Sequence, residues 1–259
     1  MFVHLLNDRR TWGRGAVPPP SPLWTPANLG ATLKAWYQGD ILAGSNGAAI
    51  SSWSDSSGNG NAATASSGTE PTLVTSLQNS LNGVRFVNGK AFSLPNFYSG
   101  KSAASAYMVL KRLADPSASF QVSALWSVGN TGADTHFPDP SGDVYDSFGT
   151  TGRKSCGNPV PSLAAWRIYG VYSALNDWAD YIDGVLFFST ATNTVGFTAT
   201  PALGKSPNSF YMDGWIAEAI FTDSKQSSTD RQKIEGYLAW KWGLTGNLDA
   251  SHPYKSSAP

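Results

Sequence analysis

Residues 210–254 read FYMDGWIAEAIFTDSKQSSTDRQKIEGYLAWKWGLTGNLDASHPY, and the hydrophobic period changes partway along. At first the residues alternate. Trp215, Ala217, Ala219 and Phe221 share one side of an extended segment, and Ile216, Glu218 and Ile220 share the other. Period two is the signature of a strand. After Lys225-Gln226-Ser227-Ser228, residues Ile234, Tyr237, Leu238 and Trp242 recur at helical spacing. Thr229 and Gln232 fit a capping box, and Gly243 stands where a helix C-terminus favours a left-handed residue. One strand therefore feeds one short helix, which closes the fold by laying its Ile234/Leu238 face on a sheet.

Upstream, the chain reads as β. Leu33–Tyr37 and Ile50–Trp53 are short strands, and Val84-Arg85-Phe86-Val87 leads to a hairpin-type turn at Asn88-Gly89. Ala106–Leu110 and Gln121–Trp126 read as buried strands. Trp166–Tyr172 alternates, and Asp183-Gly184 between two apolar runs signals a hairpin. The chain has 26 Gly and 16 Pro in 259 residues and only 14% charged residues. Frequent turns and short strands favour an antiparallel sandwich. A formal net charge of zero argues against nucleic-acid binding. No apolar run reaches the roughly 20 residues that span a membrane. A single cysteine, Cys156, excludes an internal disulfide and a cysteine metal cluster.

Residues 1–22 differ in character from the rest. Arg9, Arg10, Trp12 and Arg14 precede Pro18-Pro19-Pro20-Ser21-Pro22, an extended spacer by composition. This arm is either a docking element for a larger assembly or a tail without a partner. It lacks the order of charges and apolar core that marks a signal peptide. Residues 23–259 form the second unit.

The strand DGWIAEAIFTD, the helix RQKIEGYLAWKWGL and the closing HPY resemble the C-terminal signature of laminin-G-like domains. Those domains belong to the concanavalin A-like lectin and glucanase superfamily. Two further blocks match, Trp53-Ser54-Asp55-Ser56-Ser57-Gly58-Asn59-Gly60-Asn61-Ala62-Ala63 and Asn82-Gly83-Val84-Arg85-Phe86, so the resemblance runs from about residue 30 to 255. It implies an all-β, antiparallel jelly-roll sandwich of concanavalin A-like type, with one short C-terminal helix and an extended N-terminal arm. Such domains are common in bacteriophage virion and bacterial surface proteins. The superfamily mixes enzymes, lectins and structural modules, so function rests on the site.

Several residues are candidates for chemistry. Asp55, Asn59 and Asn61 offer oxygens of the kind Ca²⁺ takes, although Gly58-Asn59-Gly60 more simply reads as a tight turn. Gly129–Pro161 is long, polar and rich in Asp, with His136, Asp139, Asp143, Tyr145 and Asp146 close together. Such a loop serves a ligand, a neighbouring subunit or only solvent. The resembled glucanases carry an E-x-D-x-x-E strand whose carboxylates stand about 5–5.5 Å apart for a retaining reaction. Glu70, Glu218 and Glu235 do not form that pattern, and the Asp143/Asp146 and Asp177/Asp180 pairs lie in expected loops. No G-x-S-x-G, H-E-x-x-H or dinucleotide fingerprint occurs.

The expected function is therefore a non-enzymatic virion or surface module, assembled in a host cytoplasm and attached to other assembly proteins through Arg9, Arg10, Trp12 and Arg14. The alternative is a carbohydrate-binding receptor or adhesion module for host glycans. Its candidate residues are Trp126, Asp139, Asp143, Tyr145 and Trp178, because aromatic faces stack on sugars and carboxylates accept their hydroxyls. A glycoside hydrolase built on Asp pairs is the third reading. A homo-oligomer is compatible with all three, and no cofactor beyond Ca²⁺ is suggested.

Overall fold

The computed structural model describes residues 23–114 and 124–259. A 3-10 turn spans Pro26–Thr32. The strands then run β1 (Leu33–Gln38), β2 (Ser52–Trp53), β3 (Ala63–Thr64), β4 (Thr72–Gln78), β5 (Leu81–Phe86), β6 (Phe92–Ser93), β7 (Ala103–Arg112) and β8 (Trp126–Gly129). They continue as β9 (Val144–Asp146), β10 (Lys154–Gly157), β11 (Arg167–Ala174), β12 (Asp177–Ile182), β13 (Val185–Thr190), β14 (Phe197–Leu203) and β15 (Gly214–Thr222), before helix α1 (Ser228–Trp242). The large sheet has the order β13-β12-β11-β7-β15-β5-β4, with β1 also on β15. The small sheet is β2-β3-β6-β14-β8, and β9 pairs with β10 alone. All these pairings are antiparallel, and the two sheets enclose one core, so the fold is a β-sandwich carrying a C-terminal helix.

β15 sits at the centre of the large sheet. β7 runs along one of its edges, and the other edge is divided. β5 pairs with Gly214–Ile216 and β1 with Glu218–Thr222. Its register against β7 slips between Ile216 and Glu218, which is a β-bulge. The bulge resets the simple alternation expected from the sequence. Ile216, Ala219 and Phe221 face the small sheet, while Ala217 and Ile220 join the cluster under the helix.

The large sheet is therefore apolar on both faces. One face packs on the small sheet through Tyr37, Met108, Tyr169 and Phe221, and the other packs on Ile234, Leu238, Ala239 and Trp242 of α1. Burying each large side chain of this helix face contributes roughly 1.5–3 kcal/mol. The helix is capped by Ser227, two residues before the expected Thr229, and its hydroxyl accepts from the Asp230 amide at 3.1 Å. Gly243 ends the helix in the left-handed region, at φ 68°. Glu218, fully buried, lies between helix and sheet. It accepts from the Trp36 indole (2.6 Å), the Trp242 indole (2.8 Å) and the Tyr237 hydroxyl (3.0 Å), and it pairs with Lys241 (2.7 Å). Burial raises its carboxyl above the ordinary value, and Lys241 opposes that rise.

Two turns are informative. Asp183 (φ 53°) and Gly184 (φ 83°) join β12 to β13 in the mirror-image turn that two-residue hairpins favour. Asn88-Gly89 does not make a hairpin, because the chain crosses there from the large sheet to β6 in the small one. The hairpin of that region is β4–β5, turning at Asn79 and Ser80 (φ 50° and 61°).

Candidate functional site

The sandwich interior holds two of the residues expected to bind sugar. Trp126 and Trp178 are 0% exposed. Their indoles donate inward, Trp126 to Asp146 Oδ1 and Trp178 to the Phe148 carbonyl, each at 2.9 Å. Neither ring offers a face to a ligand, which corrects their assignment. Asp139 is also buried, and its Oδ1 closes a turn by accepting from the amides of Ser141 (2.8 Å) and Asp143 (3.0 Å). Asp143, at the end of the same turn, and Tyr145, on β9, are half-buried. The Arg153 guanidinium lies 4.6 Å from the Tyr145 ring centre, and His136 meets that ring edge-on at 5.9 Å. Burial, then Arg153, lowers the His136 pKa. Arg9, Arg10, Trp12 and Arg14 lie outside the described residues.

The expected pairs Asp143/Asp146 and Asp177/Asp180 are not the ones the fold assembles. Asp180 is not in a loop but on the core-facing side of β12, together with Trp178 and Ile182. It meets Asp146 across one tyrosine hydroxyl, with Tyr169 Oη 2.7 Å from Asp146 Oδ2 and 3.1 Å from Asp180 Oδ2. Both carboxyl groups are 0% exposed. Burial is the main cause that pushes them up, Asp146 to about 6 and Asp180 to about 7, values that belong to the coupled pair. The neighbouring Cys156 thiol is pushed up as well, by burial first. This cluster ties β9 to β11 and β12 inside the protein and is closed to solvent.

The Asp55 loop is filled by its own donors. The carboxylate accepts from the Trp36 amide (2.9 Å), the Ser57 amide (2.8 Å) and hydroxyl (2.7 Å), and the Asn61 amide (2.9 Å). The side-chain amides of Asn59 and Asn61 donate to the carbonyls of Leu33 and Lys34. The motif thus clamps β1 to the turn. No cluster of three potential metal ligands occurs among the described residues.

An open recess lies elsewhere, on the outer side of the small sheet. β14 pairs with β6 and β8 at Ala202 and Leu203, but its ladder to β8 is interrupted between Phe197 and Ala202. Pro201, which has no N–H to give, stands in that gap. The Thr200 amide turns instead to the Thr198 hydroxyl at 3.3 Å. The irregular stretch leaves a groove of 480 Å³ between the Asn130–Gly132 loop and Lys205–Pro207. Ser93, Ser127, Asn130, Thr198, Thr200 and Lys205 line it with hydroxyl, amide and ammonium groups. A second recess of 230 Å³, lined by Asn96, Ser99, Lys101 and Phe197, shares Ala199 with the first. The two recesses are separate and border the same residue of β14, Ala199. The long loop singled out in the sequence supplies one wall, but Thr198-Ala199-Thr200 gave no signal, being a polar run ended by proline.

No family model matches the chain, and no curated protein sequence matches it. Solved structures do. Domain 4 of AbnA, a GH43 extracellular arabinanase from Geobacillus stearothermophilus, in complex with arabinotriose, superposes with a TM-score of 0.56 at 15% identity, over 79% of this chain and 98% of that domain. Trypanosoma rangeli sialidase gives a TM-score of 0.54 at 13% identity over 82% of this chain, which spans only 33% of the sialidase. A GH54 α-L-arabinofuranosidase variant soaked with 4-nitrophenyl α-L-arabinofuranoside gives 0.50 at 15% identity, over 72% of this chain and 50% of that one. At these identities the likeness establishes the fold. It also corrects the expectation of a non-enzymatic phage virion module. The three proteins named are glycoside hydrolases or a domain of one, and none is a virion protein.

Proposed function

We propose that this chain is the carbohydrate-recognising β-sandwich of a carbohydrate-active protein, of the concanavalin A-like, laminin-G-like kind. On this proposal a glycan lies across both recesses, as the two lobes of one binding groove at β14. The carrying observation is the pair of recesses that meet at Ala199 on β14, whose hydroxyl, amide and ammonium groups match the hydrogen-bonding needs of sugar hydroxyls. The match along nearly all of an arabinanase domain described with bound arabinotriose supports it.

Ala199 is exposed where the lobes meet, so Ala199→Trp fills the groove without entering the core. Calorimetric titration of the full chain with an oligosaccharide panel should show binding that this variant abolishes. Unchanged binding by Ala199→Trp would overturn the assignment. The same panel is assayed for released reducing sugar, because the neighbouring structures are glycoside hydrolases. Release that Ala199→Trp abolishes would assign cleavage, as well as recognition, to the groove.

A further inference from the structure

We propose that the groove selects an acidic saccharide, one carrying a carboxylate on its sugar ring, and that Lys205 receives that carboxylate. This inference rests on the groove being the sugar site and adds the charge of its ligand. Among the described residues, the only charged side chains lining the two lobes are Lys205 and Lys101, and no carboxylate lines either. Lys205 forms no ion pair among the described residues. The acid closest in the hydrogen-bond network, Asp134, is not a lining residue. Its oxygens are taken by the Ser206 hydroxyl and by the Asn208 amide (3.1 Å) and side chain (2.9 Å).

Lys101, in the other lobe, shares Asp223 with Lys34, at 2.9 and 3.0 Å. Two ammonium groups on one carboxylate leave an uncompensated positive charge there too. A recess with donors along its length and unbalanced positive charge in both lobes complements an anionic sugar chain, and a lysine serves as a point charge for an oxyanion. Neutral sugars use the hydroxyl and amide donors but gain nothing from the charge.

The test compares an oligogalacturonate with its fully methyl-esterified form, titrated calorimetrically into the full chain at low salt and again at high salt. The acid form should bind about fivefold more tightly at low salt, in line with a partly exposed ion pair. Salt near 1 M should erase that preference, because it screens charges beyond roughly 3 Å. Lys205→Gln should erase it at low salt, and Lys205→Arg should keep it. Equal binding of acid and ester overturns charge selection, and an undiminished preference in Lys205→Gln overturns the assignment of the carboxylate to Lys205. If Ala199→Trp abolishes binding while acid and ester bind equally, only charge selection fails. If Ala199→Trp leaves binding of both forms intact, the groove itself is wrong. Binding of neither form overturns this proposal outright.

Discussion

Tyr169 has a single hydroxyl proton and stands 2.7 Å from the Asp146 carboxyl and 3.1 Å from that of Asp180, so it can donate to only one of them at a time. Burial raises both carboxyl groups above 3.8, so the pair holds a proton to higher pH than free carboxyls do. A carboxyl whose folded pKa is raised contributes stability that is full below the unfolded value and lost as pH rises through the folded one. For this pair the window runs from about pH 4 to about pH 7. Asp180→Asn supplies a permanent neutral donor, so the loss of thermal stability between pH 4 and 8 should be shallower in that variant than in the parent protein. Parallel melting curves across that range would count against the shared proton. The same residues show where sequence stopped informing. Asp177 to Asp180 reads as a loop in sequence, but it forms strand β12, and its inward face is set by a second sheet built from distant residues. A tryptophan that resembles a sugar platform in sequence is a core residue here.

Among the elements, the helix and its strand were legible and their join was not. Ile234, Leu238 and Trp242 at helical spacing and Gly243 at the end located α1 within a residue or two. The bulge that turns Glu218 toward the helix left no local mark, because it follows from fitting β15 between β7 and two shorter strands. Glu218 gathers two indoles, a phenol and an ammonium, so Glu218→Ala leaves buried donors without an acceptor and Lys241 with Asp40 as its remaining carboxylate partner. Loss of one member of a buried charge pair costs about 3–5 kcal/mol. Urea denaturation of this variant should show a midpoint lowered accordingly, and a change below about 1 kcal/mol would mean that water or another acceptor substitutes. β14 was missed for the opposite reason. Its polar, proline-broken sequence lacks both strand signatures, and those departures are what open the groove.

For the whole molecule, turn density, low charge and strand patterning were enough to reach a sandwich, and the structure adds its two-sided large sheet. Function was less legible, because a groove that runs over backbone irregularities is drawn by pairing between distant segments. The arrangement around β15 has one further consequence. The strand that joins β1, β5 and β7 into one sheet is residues 214–222, in the last fifth of the chain. During synthesis from the N-terminus, β1, β5 and β7 therefore emerge from the ribosome long before their common partner exists. At about 5–20 residues per second, the hundred residues between β7 and β15 leave unpaired edges exposed for roughly 5–20 seconds. The large sheet is therefore completed only when residues 214–222 emerge, and slower translation between β7 and β15 should lengthen that exposure.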